Sequence, residues 1–340
     1  MSGLKAIEIV GGGLAGLSLG LALRREGVPV TLFEAGSYPR HRVCGEFITG
    51  LSPATVERLG LAPVLADARH HREVAWFIDG QPARVQQLPA PALGLSRFAL
   101  DARLAAAFDA AGGELRTDTR VTDDTPRAGR VFANGRRRGR SPWLGLKIHA
   151  LDLSLERDLE LHLGDEVYVG LARVEDNRVN VCGLFRRRQL AAPGAELLLR
   201  YLDAAGLPAL AARLRAARFD PASFSAVAAV CFDPSVPTAA RVQLGDACAM
   251  IPPFTGNGMA MAFQSAETAL GPLLAYSRGR SDWRAAGALI AARLRRRFRV
   301  RLASARLLHP YLLQRPRQRL LAVLARARLL PFRSFYSLLH

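Results

Sequence analysis

Residues 6–17 read AIEIVGGGLAGL, and residues 17–25 read LSLGLALRR. Residues 6–10 are a short β-rich run. Gly11, Gly13 and Gly16 then fit G-x-G-x-x-G, and the helix-forming stretch that follows ends at Gly27. Residues 28–34, VPVTLFE, read as a second strand that closes on Glu34. The spacing predicts a strand–helix–strand unit with parallel strands. Gly11 allows a tight turn off the strand, Gly13 lets the backbone approach a pyrophosphate, and Gly16 permits close packing of helix on strand. The helix opens at Leu14 and Ala15, whose end of the helix offers free N–H groups to phosphates. Glu34, followed by Ala35, stands where an acid binds ribose hydroxyls. It would repel a 2′-phosphate, so the nucleotide read here is FAD or NAD, not NADP.

The choice between those two rests on residues 245–259, GDACAMIPPFTGNGM. A helix starting at Gly258 and Met259 would aim its positive end at a redox ring and stabilise the negative charge that develops on reduction. This stretch resembles the second flavin motif of the p-hydroxybenzoate hydroxylase and geranylgeranyl reductase superfamily. The resemblance implies that Gly245 and Asp246 bind the ribityl chain of FAD. It also implies that Pro253, Gly256, Asn257, Gly258 and Met259 bring a helix terminus to the flavin ring. Two further segments extend it. Residues 38–47, YPRHRVCGEF, look like the family's loop after the ribose-binding acid, with Arg42 as its arginine and a Cys44-Gly45 pair near the flavin. Residues 96–101, SRFALD, resemble a helix start whose arginine, here Arg97, contacts the cofactor. The resemblance covers residues 5–275 and implies monooxygenase (hydroxylase-like) or double-bond-reductase chemistry. There is one departure. Where the family has Asp-Gly, residues 133–136 read ANGR, with Asn134 for the aspartate, and the stretch 114–133 is shorter than the family's β-meander. FAD would still bind through the two ends, while NAD(P)H as electron donor stays an open question.

The rest of the chain bounds these readings. Its 340 residues are half hydrophobic, enough for one large core or two modest ones. The formal net charge is +18, yet Lys5 and Lys147 are the only lysines and no basic motif is interleaved with aromatics, so nucleic-acid binding is not expected. Cys44, Cys182, Cys231 and Cys248 form no CxxC pair and no histidine cluster has ligand spacing, so no metal is expected. The wide cysteine spacing, a start unlike a signal peptide and the lack of a bilayer-length apolar run favour reduced thiols in the cytoplasm. Two residues stand as weak catalytic candidates: Cys44, an active-site thiol or a small buried residue, and His149, a general acid or a structural histidine.

Residues 96–111 are a strong helix pattern with Leu100, Leu104 and Phe108 at four-residue spacing. Residues 143–181 alternate, as in Leu159-Glu160-Leu161-His162-Leu163, and predict an antiparallel sheet. Residues 196–214 read as one helix, and 285 to the end as helix broken at Pro310, Pro316 and Pro331. In that last segment Ile290, Leu294, Phe298 and Leu302 form a ridge among arginines. It is either a basic surface touching anionic lipid at the inner face of the membrane or a helix packed on the flavin domain. The fold expected is α/β: a Rossmann-type FAD-binding domain from residues 1–70, 96–140 and 236–275, an inserted antiparallel β-sheet substrate domain from 71–95 and 141–235, and a helical C-terminus, 276–340. The function expected is an FAD-dependent oxidoreductase acting on a small, mostly apolar, aromatic or isoprenoid-like substrate. A flavin-binding protein without turnover and an NAD-dependent dehydrogenase are the alternatives.

Overall fold

The computed structural model describes residues 3–136, 139–232, 238–327, 329 and 332–339. Strand β1 (Ile7–Val10) leads through Gly11 into α1 (Leu14–Arg25) and returns as β2 (Val30–Phe33). A two-residue β3 (Phe47–Ile48) precedes α2 (Pro53–Leu59), capped by the Ser52 hydroxyl, and the short α3 (Ala62–Leu65). The long strands β4 (Arg69–Ile78) and β5 (Gln81–Gly94) make a hairpin over Asp79 and Gly80, both at positive φ, as a tight two-residue turn requires. Ser96 caps α4 (Arg97–Ala110), accepting from the Ala99 N–H at 3.0 Å. Then come β6 (Glu114–Arg116), β7 (Arg130–Phe132), β8 (Trp143–Ala150), β9 (Leu159–Gly164), β10 (Val167–Arg173) and β11 (Val179–Arg186). Helices α5 (Gly194–Ala204) and α6 (Pro208–Arg215) lead to β12 (Phe219–Ala228) and β13 (Val242–Gln243). Four helices finish the chain: α7 (Gly258–Ser277), α8 (Trp283–Leu313), α9 (Arg315–Arg326) and α10 (Phe332–Leu339).

Two sheets result. The first has the order β13-β7-β1-β2-β6, all parallel, with Ile9 opposite both Leu32 and Val131. One face is apolar and packs on helices; the other carries Glu8, Thr31 and Arg130 in register, with Arg130 paired to Glu8. Helices α1, α4 and α7 pack together beside it, and Ile7, Ile9, Leu32, Leu100, Leu104 and Phe108 share one core with them. The second sheet has the order β12-β8-β11-β10-β9-β4-β5-β3. It is antiparallel except where β4 lies parallel to β9, so the expected antiparallel sheet is in fact mixed. The chain between those two strands passes through the first sheet, a crossover long enough for a parallel pair. Pro89 and Pro91 fit in β5 because beyond β4 only the two-residue β3 borders it, leaving most of that edge unladdered.

Two helix boundaries differ from expectation. Residues 196–214 are two helices, divided at Gly206 (φ +71°) and reopened by Pro208. Pro310 does not break α8: it sits near the C-terminal end, where it removes one backbone bond and the helix ends three residues later. Pro316 lies in the first turn of α9, where a missing N–H costs nothing. Pro331 lies outside the described residues. The ridge Ile290, Leu294 and Phe298 is buried in the first core, with Leu302 packed against it, so this part of α8 is a packing helix whose arginine face is exposed. Among the described residues, no helix is long and apolar enough to cross a membrane.

Candidate active site

One cavity of about 1400 Å³ runs from the carboxyl end of β1 to the second sheet and the C-terminal helices. It exceeds the roughly 300–1,000 Å³ of an ordinary small-ligand pocket. It opens where the order of the parallel sheet reverses, with β2 on one side of β1 and β7 on the other, the usual ligand crevice of such sheets.

The dinucleotide end is built on the glycine turn. Gly11 has φ +109°, and a Cβ there would lie 2.4 Å from the Ala133 carbonyl oxygen. At Gly16 a Cβ would fall 2.0 Å from the Gly11 carbonyl oxygen, so the helix seats directly on the turn. Gly13 has nothing within 4 Å of that position and faces the cavity, as do Leu14 and Ala15. No side chain caps α1, whose positive end points at this space. Glu34 and Ala35 line the same end. The Gly12 N–H donates to Glu34 Oε2 at 2.8 Å, and Arg40 Nη2 donates to Oε1 at 2.6 Å. Arg42 adds a guanidinium 3.8 Å from the same carboxylate. With two arginines beside it, Glu34 does not by itself repel a 2′-phosphate, and the exclusion of NADP drawn from Glu34 alone does not hold.

Arg42 and Arg97 both line the cavity and both lean on Asp101, which is fully buried. Arg97 Nε is 2.8 Å from one Asp101 oxygen and Arg42 Nε 3.0 Å from the other. Burial works against the Arg97 cation, but Asp101 more than compensates and raises its pKa. Arg42 Nη2 and Arg40 Nε are buried without a hydrogen-bond partner. Orphaned donors beside an uncapped helix end and an open glycine suit the phosphates and ribose of a dinucleotide.

Gly245 (φ +57°) and Asp246 face the other side of the cavity, a Cβ on Gly245 coming within 3.1 Å of Ala15 Cβ. The two glycine motifs, at opposite ends of the sequence, thus meet. Asp246 is open to the cavity yet surrounded by protein. That burial raises its carboxyl pKa, against the pull of Arg97 and Arg136. Pro253, Gly256, Gly258 and Met259 line the middle of the cavity, and no side chain caps α7 there. Asn257 differs. It is wholly buried and outside the cavity wall. Its side chain accepts from Thr49 Oγ1 at 3.1 Å and donates to the Leu339 carbonyl at 2.9 Å and to Thr255 O at 3.2 Å. Its side chain is a tether between this loop and α10.

Cys44 lines the cavity, and burial pushes its thiol pKa up, which disfavours a reactive thiolate. His149 is not in the wall. It is buried in β8 with Nε2 2.6 Å from Glu46 Oε2, while Lys147 Nζ lies 3.3 Å from Glu46 Oε1 and 3.1 Å from His41 Nδ1. Glu46 also accepts from the Arg97 N–H at 2.9 Å. Burial penalises the Glu46 carboxylate, but His149 and Lys147 hold its pKa below the usual value. His149 therefore ties the 38–47 loop to the second sheet and has no direct line to the cavity.

Two contributions escaped the sequence reading. Asp101 was the acid of the SRFALD segment; its pairing with Arg97 is an i,i+4 pair, but the second contact, from Arg42, comes from 59 residues away and has no local signature. The far arm of the cavity is apolar: Trp76, Leu161, Tyr168 and Leu184 of the second sheet face Leu321 and Leu324 of α9 and Phe332 of α10. The signal was in α9, whose LLAVL carries apolar residues on more of its circumference than a one-sided packing helix needs.

Among the described residues, no cluster of His, Cys, Asp and Glu could hold a metal ion. The NAD(P)-binding Rossmann-like domain family matches residues 9–45. Menaquinone reductase of Mycolicibacterium smegmatis is 31% identical over 132 residues, a match that covers 37% of this chain and about a third (32%) of that protein's length. Three solved structures align along nearly the whole chain. Klebsiella pneumoniae HpxO, complexed with FAD and uric acid, has a TM-score of 0.77 at 16% identity, covering 98% of this chain and 96% of that one. Pseudomonas aeruginosa PqsL, in complex with 2-aminobenzoylacetate, has 0.74 at 19%, covering 93% and 98%. A geranylgeranyl bacteriochlorophyll reductase-like protein of Thermoplasma acidophilum has 0.75 at 16%, covering 94% and 91%. A parallel sheet opening on a glycine turn, a second sheet joined to it by one cavity and helices closing the far end give this chain the fold of these three structures.

Proposed function

We propose that this protein is an FAD-dependent oxidoreductase acting on a small, mostly apolar substrate of aromatic or isoprenoid type. The observation that carries the reading is the continuity of the cavity: its dinucleotide end and its apolar arm are one space. The cofactor-holding residues proposed are Gly11, Gly13, Leu14, Ala15, Glu34, Ala35, Arg42, Arg97, Gly245, Asp246, Pro253, Gly256, Gly258 and Met259. Gly16 serves by packing. The dinucleotide part is assigned to residues 1–70, 96–140 and 236–275. Bound FAD supplies hydride transfer or, with O₂, oxygen transfer. The chain's own residues bind and orient. The α1 terminus holds phosphate, Asp246 accepts from a ribityl hydroxyl, the α7 terminus offers its positive end to the ring, and the apolar arm excludes water. The cytoplasm is the proposed location.

The test is an absorbance spectrum of the purified protein, then anaerobic titration with NADH and with NADPH. Substrate-stimulated O₂ consumption identifies a hydroxylase; anaerobic saturation of a double bond identifies a reductase. A yellow protein that no nicotinamide or reduced carrier protein reduces points instead to flavin binding without turnover, the reading that Asn134 motivates. A colourless protein that takes up no added FAD defeats the proposal.

A further inference from the structure

The charge of this chain is unevenly placed. After Asp282 no acidic residue occurs, while fourteen arginines lie between Arg284 and Arg333. The segment that carries them also walls the apolar arm of the cavity. Leu307, near the end of α8, belongs to the cavity wall and is nevertheless 71% exposed, so the cavity opens beside it. On the neighbouring α9, Leu321 and Leu324 face the cavity, while Leu320 and Val323, one helical step round, are 51% and 62% exposed. Leu320 and Val323 stand three residues apart and form one ridge. Arg317, Arg319 and Arg326 on the same helix are exposed, as is Arg306 on α8. Arg319 has Asp79 as a partner only at 3.9 Å, and its side chain is 74% exposed. Arg317 lies over the Tyr311 ring. Exposed leucine and valine beside arginines, at the mouth of a greasy cavity, is an arrangement that suits an interface plane between water and lipid.

We propose that the α8–α9 corner docks on the surface of an anionic phospholipid bilayer, with Leu320, Val323 and Leu307 entering the headgroup layer and Arg306, Arg317, Arg319 and Arg326 meeting lipid phosphates. The surface is distinct from the arginine-flanked ridge at Ile290, Leu294 and Phe298, which is buried. Docking here turns the cavity mouth toward the membrane, so an apolar substrate passes from the bilayer into the apolar arm without crossing water. That purpose rests on the proposed function; the docking itself rests on the surface alone.

The experiment is co-sedimentation of the full-length, FAD-loaded protein with sucrose-loaded vesicles, either pure phosphatidylcholine or phosphatidylcholine with about a third phosphatidylglycerol. The expected result is binding to the anionic vesicles, loss of it at high salt, and little binding to the neutral ones. Changing Arg317, Arg319 and Arg326 together to Gln weakens binding on the order of 100-fold, at the usual worth of a basic residue near an anionic surface. The pair Leu320→Glu and Val323→Glu weakens it at least about tenfold. These side chains are exposed, and flavin absorbance in each variant verifies that the fold is kept. The proposal is overturned if the wild type ignores anionic vesicles, binds neutral ones equally well, or binds no better than either variant. A yellow protein that ignores vesicles sinks the docking and leaves the flavin reading standing; a colourless protein that still sediments does the reverse.

Discussion

At the scale of the residue, Asp246 and Asn257 separate a side chain that faces the cofactor space from one that holds the wall in place. Asp246 opens on the cavity opposite the glycine turn. In the proposed function its carboxylate accepts from a ribityl hydroxyl, and such a charge-assisted bond contributes about 1.5–3 kcal/mol. Asp246→Asn keeps the shape and loses the charge, so FAD affinity falls roughly 10- to 100-fold, and Asp246→Ala loses more. Equal FAD affinity in wild type and Asp246→Ala, read by flavin fluorescence titration, sinks the assignment. Asn257 lies eleven residues further on and behaves differently. Its amide joins Thr49, Thr255 and Leu339 in a place with no exposure. Asn257→Ala removes these three buried bonds and costs about 1–3 kcal/mol of stability. Its FAD affinity moves less than that of Asp246→Asn. Chemical denaturation and FAD titration of the same two variants check both halves of the comparison.

At the scale of the element, α8 runs from the first core to the wall of the cavity, and one histidine near its end records that in a pH dependence. His309 sits among Phe232, Trp143, Tyr168 and Phe254, with Nε2 3.4 Å from the Tyr168 hydroxyl. Burial lowers its pKa to about 4. The folded value thus lies below the unfolded one, near 6.5. Between those values the unfolded chain binds more protons, so stability falls as pH drops from about 6.5 toward 4, by up to about 1.4 kcal/mol per pH unit for each such group. Above about 6.5 this contribution is constant. His41, whose pKa burial also lowers to about 4, acts in the same direction. Replacing His309 with Gln removes its share, so the loss of stability between pH 7 and pH 5 is smaller in His309→Gln than in wild type. Urea midpoints at the two pH values measure it, and identical losses contradict the burial of a neutral His309. In the sequence, His309 was one more residue of a helical run, because its environment comes from β8, β10, the 253–255 turn and residue 232, all remote along the chain.

At the scale of the whole molecule, what could be read from the sequence was whatever lay within one local unit. The turn at Gly11, the cap at Ser96 and the helix opening at Gly258 each specify backbone geometry over a few residues, and the observed elements follow them. What required the fold was every contact made across the chain: Asp101 beneath Arg42, Glu46 between Lys147 and His149, and α9 and α10 as the far wall of the cavity. The cavity itself belongs to this second group, since both sheets and the C-terminal helices supply its walls, and that has a thermodynamic consequence. A ligand that fills its length binds only the assembled protein and stabilises all of it by mass action. At 100 times its dissociation constant FAD contributes about 2.7 kcal/mol. For a chain of this size, with a per-residue unfolding entropy of about 2.1 cal/mol/K, that raises the melting temperature by about 4 °C. NAD places its own phosphates and ribose at the glycine turn but offers no ribityl chain to Asp246, so at equal concentration it shifts the transition less. In Asp246→Ala the FAD shift shrinks toward the NAD value while the NAD shift is unchanged. A calorimetric comparison of the two ligands on the two proteins therefore reports cofactor choice without any assay of turnover. A larger shift from NAD than from FAD in the wild type overturns the flavin assignment in favour of a nicotinamide dehydrogenase.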